Sequence, residues 1–203
     1  MEVIIPTKAD EIPLSKYVEC FNIGNDESLD DTWKAKKIIK AITGAGYDAL
    51  DRIPVRQLSE LSAKIAAVLQ QEQPFQQRFT WQGVEYGFIP NLQDLTTGEF
   101  VDIDSYSGDD FIENLHIVMA VLYRPIVEEY KELYKIELYK GTDGEHFREL
   151  PISITTGALA FFLRLGQSLL NNSLDSLTGS EKKVHLPDMV GLMFSTPSPM
   201  ETS

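Results

Sequence analysis

One segment, ITTGALAFFLRLGQSLL at residues 154–170, carries apolar side chains on almost every side of a would-be helix. A helix of that kind has no face to give to water, so other elements must surround it or a membrane must. Arg164 and Gly166 interrupt the stretch, and its apolar part is shorter than the roughly 18 residues that cross a bilayer. A globular core with this helix at its centre is what remains. At 203 residues, 43% of them hydrophobic, the chain is long enough to build that core as one domain or two small ones.

Several amphipathic stretches suit the task of wrapping it. In EIPLSKYVECFNI, Ile12, Tyr17, Val18 and Phe21 follow helical spacing, and Pro13 is tolerated in a first turn. Asp31 stands as the N-cap of WKAKKIIKAIT, whose apolar side is Trp33, Ile38, Ile39 and Ile42 and whose stop is Gly44. From Pro54 onward Val55, Leu58, Leu61, Ile65, Val68 and Leu69 recur at three- and four-residue steps. Thr96, three residues ahead of Glu99, offers a capping box for a further helix. The clearest stripe is in DDFIENLHIVMAVLYR, where Phe111, Ile112, Leu115, Val118, Met119, Leu122 and Tyr123 align. Acids occupy its first turn, Asp109 and Asp110 cap it, and Pro125 ends it.

Residues 75–89 change period. FTWQGVEYGFI reads as two short strands joined at Gln82-Gly83. The opening EVIIP is a brief β-type run, and the charged, tyrosine-rich residues 126–149 suit either a helix or a hairpin. The expected fold is therefore mainly α: a helical domain over residues 1–177 with a small β-hairpin near 75–89, then an extended C-terminal tail over 178–203. That tail keeps Val184, Leu186, Met189, Val190, Leu192, Met193 and Phe194 among its Gly, Ser, Thr and Pro residues. A disordered tail carries less apolar material, so these are the candidate partner-binding residues, packing on their own domain or docking on a partner.

Charge narrows the function classes. There are 18 Lys and Arg against 31 Asp and Glu, a formal net charge of −13. Such a chain is repelled by phosphate backbones and anionic lipid, which argues against direct sequence-specific nucleic-acid binding and against membranes as partners. Residues 91–149 alone hold 14 acids against 5 bases. A solvated face is the simpler account of that excess, and a surface matched to a basic partner the functional one. Cys20 is the only cysteine, which excludes an internal disulfide and a multi-cysteine metal site. The opening MEVIIPTKADE has neither the basic start nor the apolar stretch of a signal peptide.

No catalytic residue, cofactor site or metal site emerges from the motifs. His116 lies inside a helical stripe without the partners of a His-Glu-x-x-His motif, and no nucleophile elbow or Walker loop is present. Asp102, Asp104 and Glu113 fall at positions 1, 3 and 12 of a calcium-type loop. Tyr106 then occupies a ligand position, and the glycine, Gly108, falls one place late for the turn.

Two segments 83 residues apart share a phrase: Glu11 to Glu19, EIPLSKYVE, and Asp94 to Asp102, DLTTGEFVD. Both read as an extended lead-in, a cap and a helix turned inward by its aromatic residue. This phrase, together with YGFIPNLQDLTTGEFVDIDSY, ENLHIVMAVLYRPI and LPISITTGALAFFLRLG, resembles a family of small proteins from the structural gene modules of tailed bacteriophages, crAss-like phages among them. The resemblance covers most of residues 1–172 and does not extend into the tail. It implies a non-enzymatic virion protein of the portal–tail region, assembled in the host cytoplasm. Its partners would be other phage structural proteins, and it would act in several copies of a symmetric assembly. A tail assembly chaperone, absent from the mature particle, is the alternative the same resemblance implies. A hydrolase is more remote and would need His116 or His146 beside a carboxylate in a deep pocket.

Overall fold

The computed structural model describes residues 4–108 and 110–164. In chain order the elements are α1 Leu14–Asn25, α2 Asp31–Thr43, α3 Tyr47–Leu50, α4 Val55–Leu69, β1 Arg78–Trp81, β2 Val84–Phe88, α5 Thr97–Ser105, α6 Leu115–Leu122, β3 Tyr123–Tyr130 and β4 Leu133–Ile136. A last helix, α7, covers residues 152–164. The partner-binding residues expected between Val184 and Phe194 lie outside the described residues.

The four strands make one antiparallel sheet in the order β1-β2-β3-β4. The fold is therefore α+β, which corrects the expectation of a mainly α protein with a small hairpin. The hairpin foreseen at Gln82-Gly83 is β1–β2, with Gln82 and Gly83 both at positive φ, 50° and 80°. It is half of the sheet. The other half begins where α6 stops. Leu122 is the last helical residue, and Tyr123 is already extended at φ −119° and ψ 126°. Pro125 does not close a helix; it lies in β3 opposite Tyr86, and its carbonyl accepts from the Glu137 N–H. Proline fits inside this strand because β3 bulges between Ile126 and Glu128, where its ladder to β4 shifts register.

The described residues fall into two compact units. The first contains Glu19–Gln71 with residues 4–7 and 162–164. Here α2 packs on α4, and Ile38, Ile39, Leu58, Ile65 and Leu69 are buried. Asp30, one residue before the expected cap, accepts the Trp33 N–H at 2.8 Å, while Asp31 becomes the first helical residue. Gly44 ends α2 as foreseen, at φ 71° with its N–H on the Lys40 carbonyl. Trp33 departs from the apolar side assigned to it. It lies half open to solvent, edge-on to Tyr47 with the Lys36 ammonium over its ring.

The second unit contains Lys8–Val18 and Glu72–Phe161. Its two strand-like ends are stitched together: the Ile152 N–H donates to Ile12, the Leu14 N–H to Leu150, and the Ser15 N–H to Arg148. Phe79, Tyr86, Phe88 and Tyr123 share one face of the sheet. There Phe147 meets Tyr86 at 5.0 Å between centroids, and Phe75 and Phe161 meet Phe88 at 5.1 and 5.6 Å. Every residue of α6 except Ile117 is buried. That helix takes the enclosed place expected of residues 154–170, whereas α7 is fully buried only over Ile152–Thr155 and at Gly157 and Ala158.

The helix foreseen over DDFIENLHIVMAVLYR is thus shorter at both ends. Its N-cap is Asn114, and residues 110–114 form turns ahead of it. The capping box is present as read. Thr96 Oγ1 accepts the Glu99 N–H, and the Glu99 carboxylate accepts the Thr96 N–H at 2.6 Å. The shared aromatic of the repeated phrase behaves differently in its two copies, since Tyr17 is buried and Phe100 is exposed.

Candidate functional site

β3 and β4 are joined by two residues, Lys131 and Glu132, with Lys131 at φ 56°. The hairpin carries large apolar side chains outward: Val127 is 63% exposed, Tyr130 68% and Leu133 73%, and Leu138 just beyond it 82%. Four acids, Glu128, Glu129, Glu132 and Glu137, stand among them with Lys131, Lys135 and Lys140. Scattered single hydrophobes are ordinary on a protein surface, whereas a cluster ringed by charge marks a contact surface. Part of the acidic excess of residues 91–149 therefore rests on a hairpin, the more structured of the two forms that stretch allowed.

Beneath the hairpin the opposite face of the sheet is polar. Glu99 of α5 is 4% exposed and its carboxylate lies against Arg124 Nη1 of β3. Burial acts most strongly on this carboxyl and raises its pKa. The Thr96 N–H and hydroxyl together with the Arg124 cation outweigh burial, so the net shift is below the ordinary glutamate value. Arg124 Nε and Nη1 make no hydrogen bond among the described residues, so the guanidinium is held by charge contact and by the Tyr139 ring at 5.5 Å. The Tyr139 hydroxyl in turn donates to Asp102. Burial, then this bond to a carboxylate, drives the phenol pKa up. The cluster thus ties α5, β3 and the segment after β4 to one another. Asp102 and Asp104 are helical residues of α5 rather than members of a loop, and Asp102 is spent on Tyr139.

The histidines go to a different place. His116 of α6 is buried, and its Nε2 lies 3.7 Å from Glu145 Oε1. Burial above all, then the Arg148 charge, depresses the imidazole pKa, with Glu145 pulling the other way. The ring is neutral at pH 7. Arg148 donates to the same Glu145 carboxylate at 2.7 Å. Gly144, at φ 65°, permits this approach: a Cβ there would stand 2.6 Å from the His116 carbonyl oxygen and the Ile117 Cα. His146 stacks on Tyr86, and its carbonyl accepts from the Trp81 indole. A carboxylate does stand beside His116, but the imidazole is sealed inside the unit. Its evident work is to seat the turn Glu145–Phe147 on α6. Cys20 is a fully buried thiol.

Among the described residues no group of His, Cys, Asp and Glu is placed to hold a metal ion. None of their helices is long and apolar enough to cross a membrane. Comparison with protein-family models, with curated proteins and with solved structures finds no match. Neither the hairpin surface nor Arg124 stands among the sequence-predicted sites. The signal for the second was available in an arginine set between aromatic and apolar neighbours in LYRPI.

Proposed function

We propose that this chain is a non-enzymatic structural protein of a tailed-bacteriophage virion, placed in the portal–tail region. It acts through contacts with other phage structural proteins, in several copies of a symmetric assembly. The observation that carries the proposal is the β3–β4 hairpin, which spends Val127, Tyr130 and Leu133 on solvent instead of on the core. The bacteriophage resemblance of residues 1–172 supplies the setting, and the acidic surface suits a site that DNA passes without adhering.

Mass spectrometry of purified particles of the encoding phage tests it. The expected outcome is stoichiometric presence beside the portal and tail proteins. Absence from mature particles, with presence in assembling cells, overturns the virion role in favour of the assembly chaperone.

A further inference from the structure

The outer strand β4 and the residues after it read E-L-Y-K-I-E-L-Y-K from Glu132 to Lys140, the tetrapeptide ELYK twice around Ile136. Laid antiparallel on itself with Ile136 at the centre, this sequence puts Lys135 opposite Glu137 and Glu132 opposite Lys140. Tyr134 then faces Leu138, and Leu133 faces Tyr139. Every charge meets its opposite and every leucine meets a tyrosine. A register shifted by two residues in either direction loses this match.

The backbone agrees with that register. β4 lies at the end of the strand order, with β3 on one side and no described strand on the other. Glu137 donates its N–H inward to Pro125, and Leu133 and Lys135 sit opposite Tyr130 and Glu128 in the ladder. Backbone groups of a strand alternate in direction, so those of Tyr134, Ile136 and Leu138 point away from β3. In the self-pairing centred on Ile136, these are the residues that exchange hydrogen bonds: Ile136 with its copy, and Tyr134 with Leu138. The charges are also free to turn, since the side chains of Lys135 and Glu137 are 72% and 47% exposed. Their present partners, Glu128 and Lys140, are surface pairs of small worth.

We propose that β4 is a homotypic docking edge, pairing antiparallel with β4 of a second copy of this chain about a two-fold axis through Ile136. The two sheets join as one eight-stranded sheet. The contact uses the same edge on both copies, so it closes at a dimer and consumes the open edge rather than propagating it. It covers Leu138, which otherwise stands in water. The pairing does not depend on the virion role and would stand without it.

Charge reversal tests the register. Lys135→Glu places Glu against Glu137 of the second copy at both symmetric positions, and Glu137→Lys places Lys against Lys135. Each single variant is expected to lose roughly tenfold or more in dimer affinity, measured by sedimentation equilibrium on the full chain. Mixing the two variants is expected to restore association, because every reversed residue then faces its opposite. Thermal melts should stay at the wild-type value, since both side chains are exposed. Amide exchange at Tyr134, Ile136 and Leu138 is expected to slow as wild-type concentration rises. Three results overturn the proposal: a wild type that stays monomeric at millimolar concentration, single variants that dimerise like wild type, or amides already protected in dilute monomer.

Discussion

The two faces of the central sheet are built by opposite means. On one, Phe79, Tyr86, Phe88 and Tyr123 are met by Phe75, Phe147 and Phe161, and the only polar work is the Tyr123 hydroxyl donating to the Gln76 carbonyl at 2.6 Å. On the other, Arg78 reaches Glu129 and Glu85, Arg124 reaches Glu99, and Tyr134 lies over the bare backbone of Gly87. The aromatic face draws on area removed from water, which is non-directional and forgiving of small shifts. The polar face draws on charges whose desolvation has to be matched partner by partner, so it fixes where α5 and the hairpin sit more than how tightly they hold. One sheet separates adhesion from placement.

The largest effect that could break this comparison is at Phe147. It is fully buried and touches Phe79, Tyr86 and His146. Phe147→Ala is expected to lower unfolding free energy by about 3–5 kcal/mol in urea titrations. A loss below 1 kcal/mol would mean that the aromatic face is not the main source of stability.

Next is the buried pair. Arg124→Met leaves the Glu99 carboxylate enclosed without its cation and is expected to cost about 3 kcal/mol. The double variant with Glu99→Gln should cost less than the sum of the single changes. The pH dependence has a definite sign. A carboxyl with a folded pKa below its ordinary 4.5 contributes stability above that value and loses it as pH falls through the lower folded one. Wild-type stability should therefore drop on acidification from about pH 4.5 downward, and Glu99→Gln should flatten that slope in melts taken across the same range. An unchanged slope would remove Glu99 from the account.

The smallest effect sharpens the contrast. A Cβ on Gly87 would stand 2.4 Å from the Tyr134 ring, whose hydroxyl donates to the Phe88 carbonyl at 2.6 Å. Gly87→Ala should cost about 1–3 kcal/mol by denaturation, through a displaced ring and a broken hydrogen bond.

Local chemistry was legible wherever a few adjacent residues decide the outcome. The Gln82-Gly83 turn, the Thr96–Glu99 box, the Gly44 stop and the stripe of α4 all fall in that class. The second half of the sheet was not. Residues 123–138 mix Glu and Lys, which suit helices, with Tyr, Ile and Val, which suit strands, and the choice is made by β2, more than thirty residues upstream. The same non-local pairing reassigned Pro125 from terminator to strand residue. The charge excess that marks the hairpin could be counted from sequence. Its placement on an outward-facing edge could not, because exposure depends on partners far along the chain.

Leu122 and Tyr123 leave no slack between the enclosed helix and the projecting hairpin: one residue is the last turn of α6 and the next is the first rung of β3. A force applied at the tip near Lys131 has no loop in which to dissipate before it reaches the molecule's driest helix. Whatever grips that hairpin therefore pulls directly on the core, and load borne at the periphery is shared by the interior from the first ångström of travel.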